Sequence, residues 1–131
     1  MKFRYKKYAP GILRPVIPIE LIHKDIIVPY EVLIDSGSDS NIFDAQITEI
    51  LGIDLSSGKL AKVAGITGIE EPYYIHNLDF RVGGHLFKKV EVGFLKQIGK
   101  YGYGVVGQKG FFDIFVVKLD LLKEEIELKP R

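Results

Sequence analysis

The chain reads as short apolar runs separated by turns rich in glycine, proline and charge. Residues 2 to 8 alternate basic and aromatic side chains. As a strand they would place Lys2, Arg4 and Lys6 on one face, with Phe3 and Tyr5 on the other. Ala9-Pro10-Gly11 predicts a turn. Ile12 to Ile22 is apolar, but Pro15 and Pro18 confine it to an edge or irregular strand. His23-Lys24-Asp25 predicts a polar hairpin turn. Ile26 to Ile34 predicts the returning strand, interrupted by Pro29 near its start. That strand runs Val32-Leu33-Ile34 straight into Asp35-Ser36-Gly37-Ser38.

Beyond the acid, Asn41-Ile42-Phe43 is a short apolar extension, and Asp44 is placed to cap a helix. Ile47, Ile50 and Leu51 would form that helix's buried face, and Gly52 its stop. Ser56-Ser57-Gly58 predicts a loop. Leu60 to Ala64 and Glu71 to Leu78 predict a hairpin tipped by Gly65-Ile66-Thr67-Gly68. Phe80 to Val82 and Leu86 to Val92 predict another around Gly83-Gly84. Gly99 to Gly104 is rich in glycine and tyrosine. Val105-Val106-Gly107 predicts a second short buried strand ending in glycine, and Lys109 to Phe115 one or two helical turns. Val116 to Leu119 and Ile126 to Leu128 predict closing strands around Leu122-Lys123-Glu124. The fold class is mainly β, with short helices and a glycine-tipped hairpin.

Composition narrows this picture. At 131 residues the chain is one domain with room for a real core. A net charge of +1 gives no global attraction to nucleic acid or an acidic membrane, and neither is expected as a partner. The absence of cysteine excludes disulfides, cysteine nucleophiles and thiolate metal sites. No apolar run approaches membrane-spanning length, and no apolar core follows the basic first residues as a signal peptide requires. A cytoplasmic location is the expectation.

A carboxylate at the end of an apolar strand loses solvation, so it calls for a partner or a chemical role. Asp35 is therefore the first candidate. Other signatures fail on context. Gly102-Tyr103-Gly104-Val105-Val106-Gly107 fits the dinucleotide fingerprint by letter, but too little chain follows for the helix, strand and ribose-binding acid. Asp35 to Asn41 resembles a cation loop, but Ser40 and Gln46 stand where an EF-hand needs Gly and Glu. His23, His76 and His85 lack metal-ligand spacing, and no Gly-x-Ser-x-Gly elbow exists. No metal or cofactor is expected.

Together these residues resemble the retropepsin-like (retroviral-type) aspartic proteases over about residues 14 to 128. The resemblance is carried by the apolar strand running into Asp35-Ser36-Gly37-Ser38, by the Gly65-Ile66-Thr67-Gly68 hairpin in the place of that family's flap, and by Val105-Val106-Gly107 with the segment after it. It implies a single-lobe, barrel-like acid-protease domain over 14–131. Residues 1–13 would form an N-terminal arm, as a possible dimer strand. There are departures. Ser38 stands where viral members commonly have Ala. Gln108 stands where they often have Arg, which removes a salt bridge expected to Asp39.

The resemblance implies peptide hydrolysis by two carboxyls sharing one proton around a water. The chain holds one Asp-[Ser/Thr]-Gly, so that chemistry needs a homodimer with Asp35 from each copy on the two-fold axis. Ser36 is then expected to hydrogen-bond across the dimer, Gly37 to let substrate approach, and Ser38 to donate to the outer carboxylate oxygen. Asp39 is expected to accept substrate backbone amides. Gly65, Ile66, Thr67 and Gly68 would close over the peptide. Ile66, Ile69 and Val105 are expected to line pockets. A non-catalytic module of the same fold, binding peptide or only assembling, is the alternative.

Overall fold

The computed structural model describes residues 1–64, 67–98 and 102–131. Among these, one sheet dominates. Its strands in chain order are β4 (Val16–His23), β5 (Ile26–Ile34), β6 (Asn41–Asp44), β7 (Lys59–Ala64), β8 (Glu70–Val82), β9 (His85–Leu95) and β10 (Gly104–Val106). In space they run β4-β5-β10-β6-β9-β8-β7. Glu20 to Ile22 of β4 also pair with Asp79 to Arg81 of β8. That pairing closes six strands into a barrel and leaves β7 appended to β8, so the barrel abolishes most free edges.

The remaining strands are β1 (Lys2–Arg4), β2 (Lys6–Ala9), β3 (Ile12–Arg14), β11 (Phe115–Asp120) and β12 (Glu125–Pro130). β1 pairs with β12, and β12 with β11, all within one chain. The amino terminus donates to the Leu128 carbonyl at 2.9 Å. Lys2 and Arg4 face solvent while Phe3 packs on the core, as the alternation requires. Pro15 separates β3 from β4, and Pro18 sits exposed within β4, where its missing N–H costs little.

The core fills the barrel and the space below it. Ile17, Leu21, Val32, Phe43, Phe80 and Phe94 are fully enclosed. Phe111 and Phe115 stack at 4.9 Å, and Phe87 meets Phe115 edge-on at 4.9 Å.

Four expectations need correction. The predicted strands Glu71 to Leu78 and Phe80 to Val82 are one strand, β8. A register shift between Leu78 and Phe80 lets it continue, and the Asp79 carboxylate accepts the Lys89 N–H at 2.8 Å there. The short helix α1 (Gln46–Leu51) buries Ile47 and Leu51 but leaves Ile50 61% exposed, because six residues present only one i, i+4 pair to the core. Asp44 accepts the Gln46 N–H at 3.0 Å, and Gly52 ends the helix at φ +73°. Finally, residues 110 to 114 form successive turns, and the predicted segment from 109 to 115 holds no helix. The Gly107 and Gln108 carbonyls accept from Phe112 and Asp113, five residues on, and Gly110 at φ +98° interrupts any helical path. The loop predicted at Ser56-Ser57 is a turn of 3₁₀-helix, Leu55–Ser57.

Candidate active site

Asp35 follows the last residue of β5, whose Val32 and Ile34 are buried. β10 lies beside β5 in parallel, pairing Val106 with Ile34, and antiparallel to β6, pairing Val105 with Ile42. The three strands form a floor from which the acid projects. The Asp35 N–H donates to the Val106 carbonyl at 3.0 Å, and the Asp35 carbonyl accepts from Ser38 at 3.1 Å, closing a tight turn. The Gly37 N–H donates back to Asp35 Oδ1 at 2.9 Å. A Cβ on Gly37 would sit 3.2 Å from that oxygen.

The loop is tied on every side. Asn41 is fully buried. Its Oδ1 accepts the Gly107 N–H at 3.0 Å, and its Nδ2 donates to the Glu91 carbonyl at 3.3 Å. The Gln108 N–H donates to Ser38 O at 2.9 Å, and the Lys109 N–H to Asp39 O at 3.0 Å. Gly107 is glycine for steric reasons: a Cβ there would collide with the Ser38 and Ser40 carbonyl oxygens. Tyr30, edge-on to Phe43 at 5.2 Å, accepts the Asp44 N–H at 3.1 Å. Burial pushes its phenol well above the usual range.

One expected role changes. Ser38 does not donate to the acid: its single hydroxyl proton is committed to the Ser40 carbonyl at 2.8 Å. The Gly37 backbone N–H supplies the donor instead. Gln108 makes no salt bridge to Asp39, as expected of a neutral side chain. Its side-chain amide donates to the Ser36 carbonyl at 3.0 Å, and among the described residues Asp39 forms no ion pair.

A cleft of about 700 Å³ opens above the acid. Asp35, Gly37, Ser38, Ile42 and Val105 form its floor. Val63, Ala64, Thr67, Ile69 and Glu71 of the β7–β8 hairpin form its roof, and Leu95, Gln97 and Ile98 one wall. β7 pairs with β8 from Lys59↔Ile75 out to Ala64↔Glu70. Gly68 turns at φ +75°.

The cleft thus unites Asp35, Gly37, Ser38, Thr67 and Val105, together with Ile69. Ser36, Asp39 and Gly68 are exposed and outside its lining, and Gly65 and Ile66 lie outside the described residues. Val63, Glu71, Ile42 and Leu95 escaped the sequence reading. The signal for the first two was available: in a hairpin they are a cross-strand pair on one face. Among the described residues no three His, Asp or Glu side chains converge as a metal site.

A family profile described as aspartyl protease matches residues 21–109, from β4 past β10, and takes in Asp35. The chain belongs to the aspartyl protease family. Solved structures agree on its fold. A retropepsin-like aspartic protease from Rickettsia conorii superposes with a TM-score of 0.66 at 16% identity, covering 98% of this chain and 89% of that one. The EIAV protease, complexed with the inhibitor HBY-793, superposes with a TM-score of 0.54 at 16% identity, covering 72% of this chain and 82% of that one. No curated protein matches the sequence. Its fold is retropepsin-like and mainly β, with one short α-helix among its described residues. None of its described helices is long and apolar enough to cross a membrane.

Proposed function

We propose that this protein is a homodimeric aspartic endopeptidase in which Asp35 of each copy contributes one carboxyl to a shared centre. The observation that carries the reading is the placing of Asp35. A lone acid, held by a braced turn, sits at the floor of a peptide-sized cleft under a hairpin. Family membership supports hydrolysis of a peptide bond.

In this reading the two carboxyls cannot both ionise at close range, so one keeps a proton. The ionised carboxyl takes a proton from water as the oxygen attacks the scissile carbonyl carbon. The protonated one donates to the carbonyl oxygen. The tetrahedral species then collapses: the C–N bond breaks, the leaving amine takes a proton from the protonated carboxyl, and a hydroxyl of the species returns its proton to the other, so the pair again shares one proton. Ser36 acts across the two-fold axis, and Gly37 keeps the approach to the acid open. Thr67, Gly68 and their neighbours Gly65 and Ile66 cover the bound peptide, while Val105 forms part of its floor. Asp39, outside the cleft of one copy, would meet only the ends of a longer peptide.

The test is digestion of an unfolded protein at about pH 4 to 6, in the range where one carboxyl of a pair is protonated. Wild type cleaves, and Asp35→Asn loses at least about a hundredfold in rate. Sedimentation of the active sample shows a dimer. Equal cleavage by wild type and variant, or an active monomer, defeats the proposal. A wild type that binds peptide without cutting it leaves the binding module in its place.

A further inference from the structure

The roof of the cleft carries two adjacent glutamates with opposite fates. Glu70 lies on the outer face of β8, where its carboxylate is 3.9 Å from Lys62. Glu71, one residue on, lies on the opposite face of the strand and lines the cleft beside its cross-strand partner Val63. Among the described residues Glu71 forms no ion pair and no side-chain hydrogen bond. The described lining contains no Lys, Arg or His, and its only other ionisable group is Asp35. The remaining lining is largely apolar: Ile42, Val63, Ile69, Leu95, Ile98 and Val105.

We propose that Glu71 is a specificity residue that selects a peptide carrying a Lys or Arg side chain at the position lying under β8. This rests on the reading of the cleft as a peptide site. The physical case is complementarity. Glu71 is itself exposed, but its place among the lining sets a carboxylate against a mostly apolar cleft with no competing cation in the described lining. An apolar or acidic side chain there leaves that charge unanswered. A guanidinium or ammonium reaching it makes a charge-assisted hydrogen bond while its methylene stem covers the apolar lining.

The probe is a set of labelled octapeptides in which one Lys is walked through an otherwise uncharged, apolar sequence. Its counterpart carries Gln at the same position. Lys at one position is expected to raise kcat/KM about tenfold over Gln, roughly the effect of one charge-assisted bond. Glu71→Gln abolishes the preference, and Glu71→Lys turns it toward Glu. Glu70→Gln makes the same charge change one residue away and keeps the preference. Equal loss in the Glu70 and Glu71 variants overturns the proposal, because a diffuse field would then account for it. The same peptides are titrated by fluorescence anisotropy against the Asp35→Asn protein, which separates recognition from chemistry. Cleavage without a Lys preference overturns the role of Glu71 and leaves the endopeptidase standing. A Glu71-dependent Lys preference in binding, with no cleavage by wild type, upholds the role and overturns the endopeptidase. Neither binding nor cleavage overturns both.

Discussion

The acid-bearing loop and the hairpin above it are held in different ways. The loop after β5 is fastened by hydrogen bonds to β10 and to the residues after it, and Asn41, where the loop enters β6, ties its end to Gly107 and to β9. Among the described residues, the outer part of the hairpin, Lys62 to Ala64 with Glu70 to Pro72, pairs only with itself. A carboxyl that must meet a reacting atom needs its place fixed in advance, because misplacement by about an ångström costs catalysis heavily. A cover that admits and releases peptide needs the reverse, with few ties beyond its own ladder. Substitutions in the loop are therefore expected to lower stability and activity together, and substitutions in the hairpin to change substrate affinity alone.

The sharpest way to break that contrast is Asn41→Ala. It strands the buried Gly107 N–H and the Glu91 carbonyl, and is expected to cost about 2–4 kcal/mol in chemical denaturation while lowering kcat. A loss below about 1 kcal/mol would mean that the loop is held elsewhere. Next comes Tyr30→Phe, which removes the acceptor for Asp44 N–H and is expected to cost about 1–2 kcal/mol at neutral pH. It also carries a pH signature. Burial raises the phenol's folded-state pKa above its ordinary 10.0, so its stabilisation is complete below that value and lost as pH rises beyond it. The variant should lose less stability than wild type between neutral and strongly alkaline pH, measured by denaturant midpoints.

Gln108→Ala removes the exposed amide on the Ser36 carbonyl, for an expected loss of under about 1 kcal/mol, with kcat falling more than KM changes. The smallest effect on folding belongs to the hairpin. Val63→Ala should leave stability within about 0.5 kcal/mol of wild type yet raise KM several-fold, since Val63 faces the cleft rather than the core. A hairpin variant that unfolds the protein would erase the distinction between floor and roof.

The sequence made the floor legible because its signals are local. Val32-Leu33-Ile34 before Asp35, the hydroxyl and glycine after it, and Val105-Val106-Gly107 each carry their own pattern, and each took its expected place. The Gly83-Gly84 turn was legible for the same reason. What failed was set by individual hydrogen bonds, near and far, that a pattern of apolar and polar positions does not encode. Ser38 carries a hydroxyl that alternation and spacing cannot aim, and the Ser40 carbonyl claims it. The continuity of β8 through Asp79 depends on the Lys89 N–H across the hairpin. The turns after Gly107 depend on carbonyls that lie five residues back. Asn41, the buried centre of the brace, read only as part of a short apolar extension, because its two partners lie 50 and 66 residues away.

The tie from Gln108 to the Ser36 carbonyl has a wider meaning. An amide has no charge to be screened by salt and keeps both its protons in acid. Where an ionic clasp would slacken as its carboxylate took up a proton, this neutral one does not. The turn beneath Asp35 can thus hold one shape across the acidity range in which the acid it presents gains and loses its own charge.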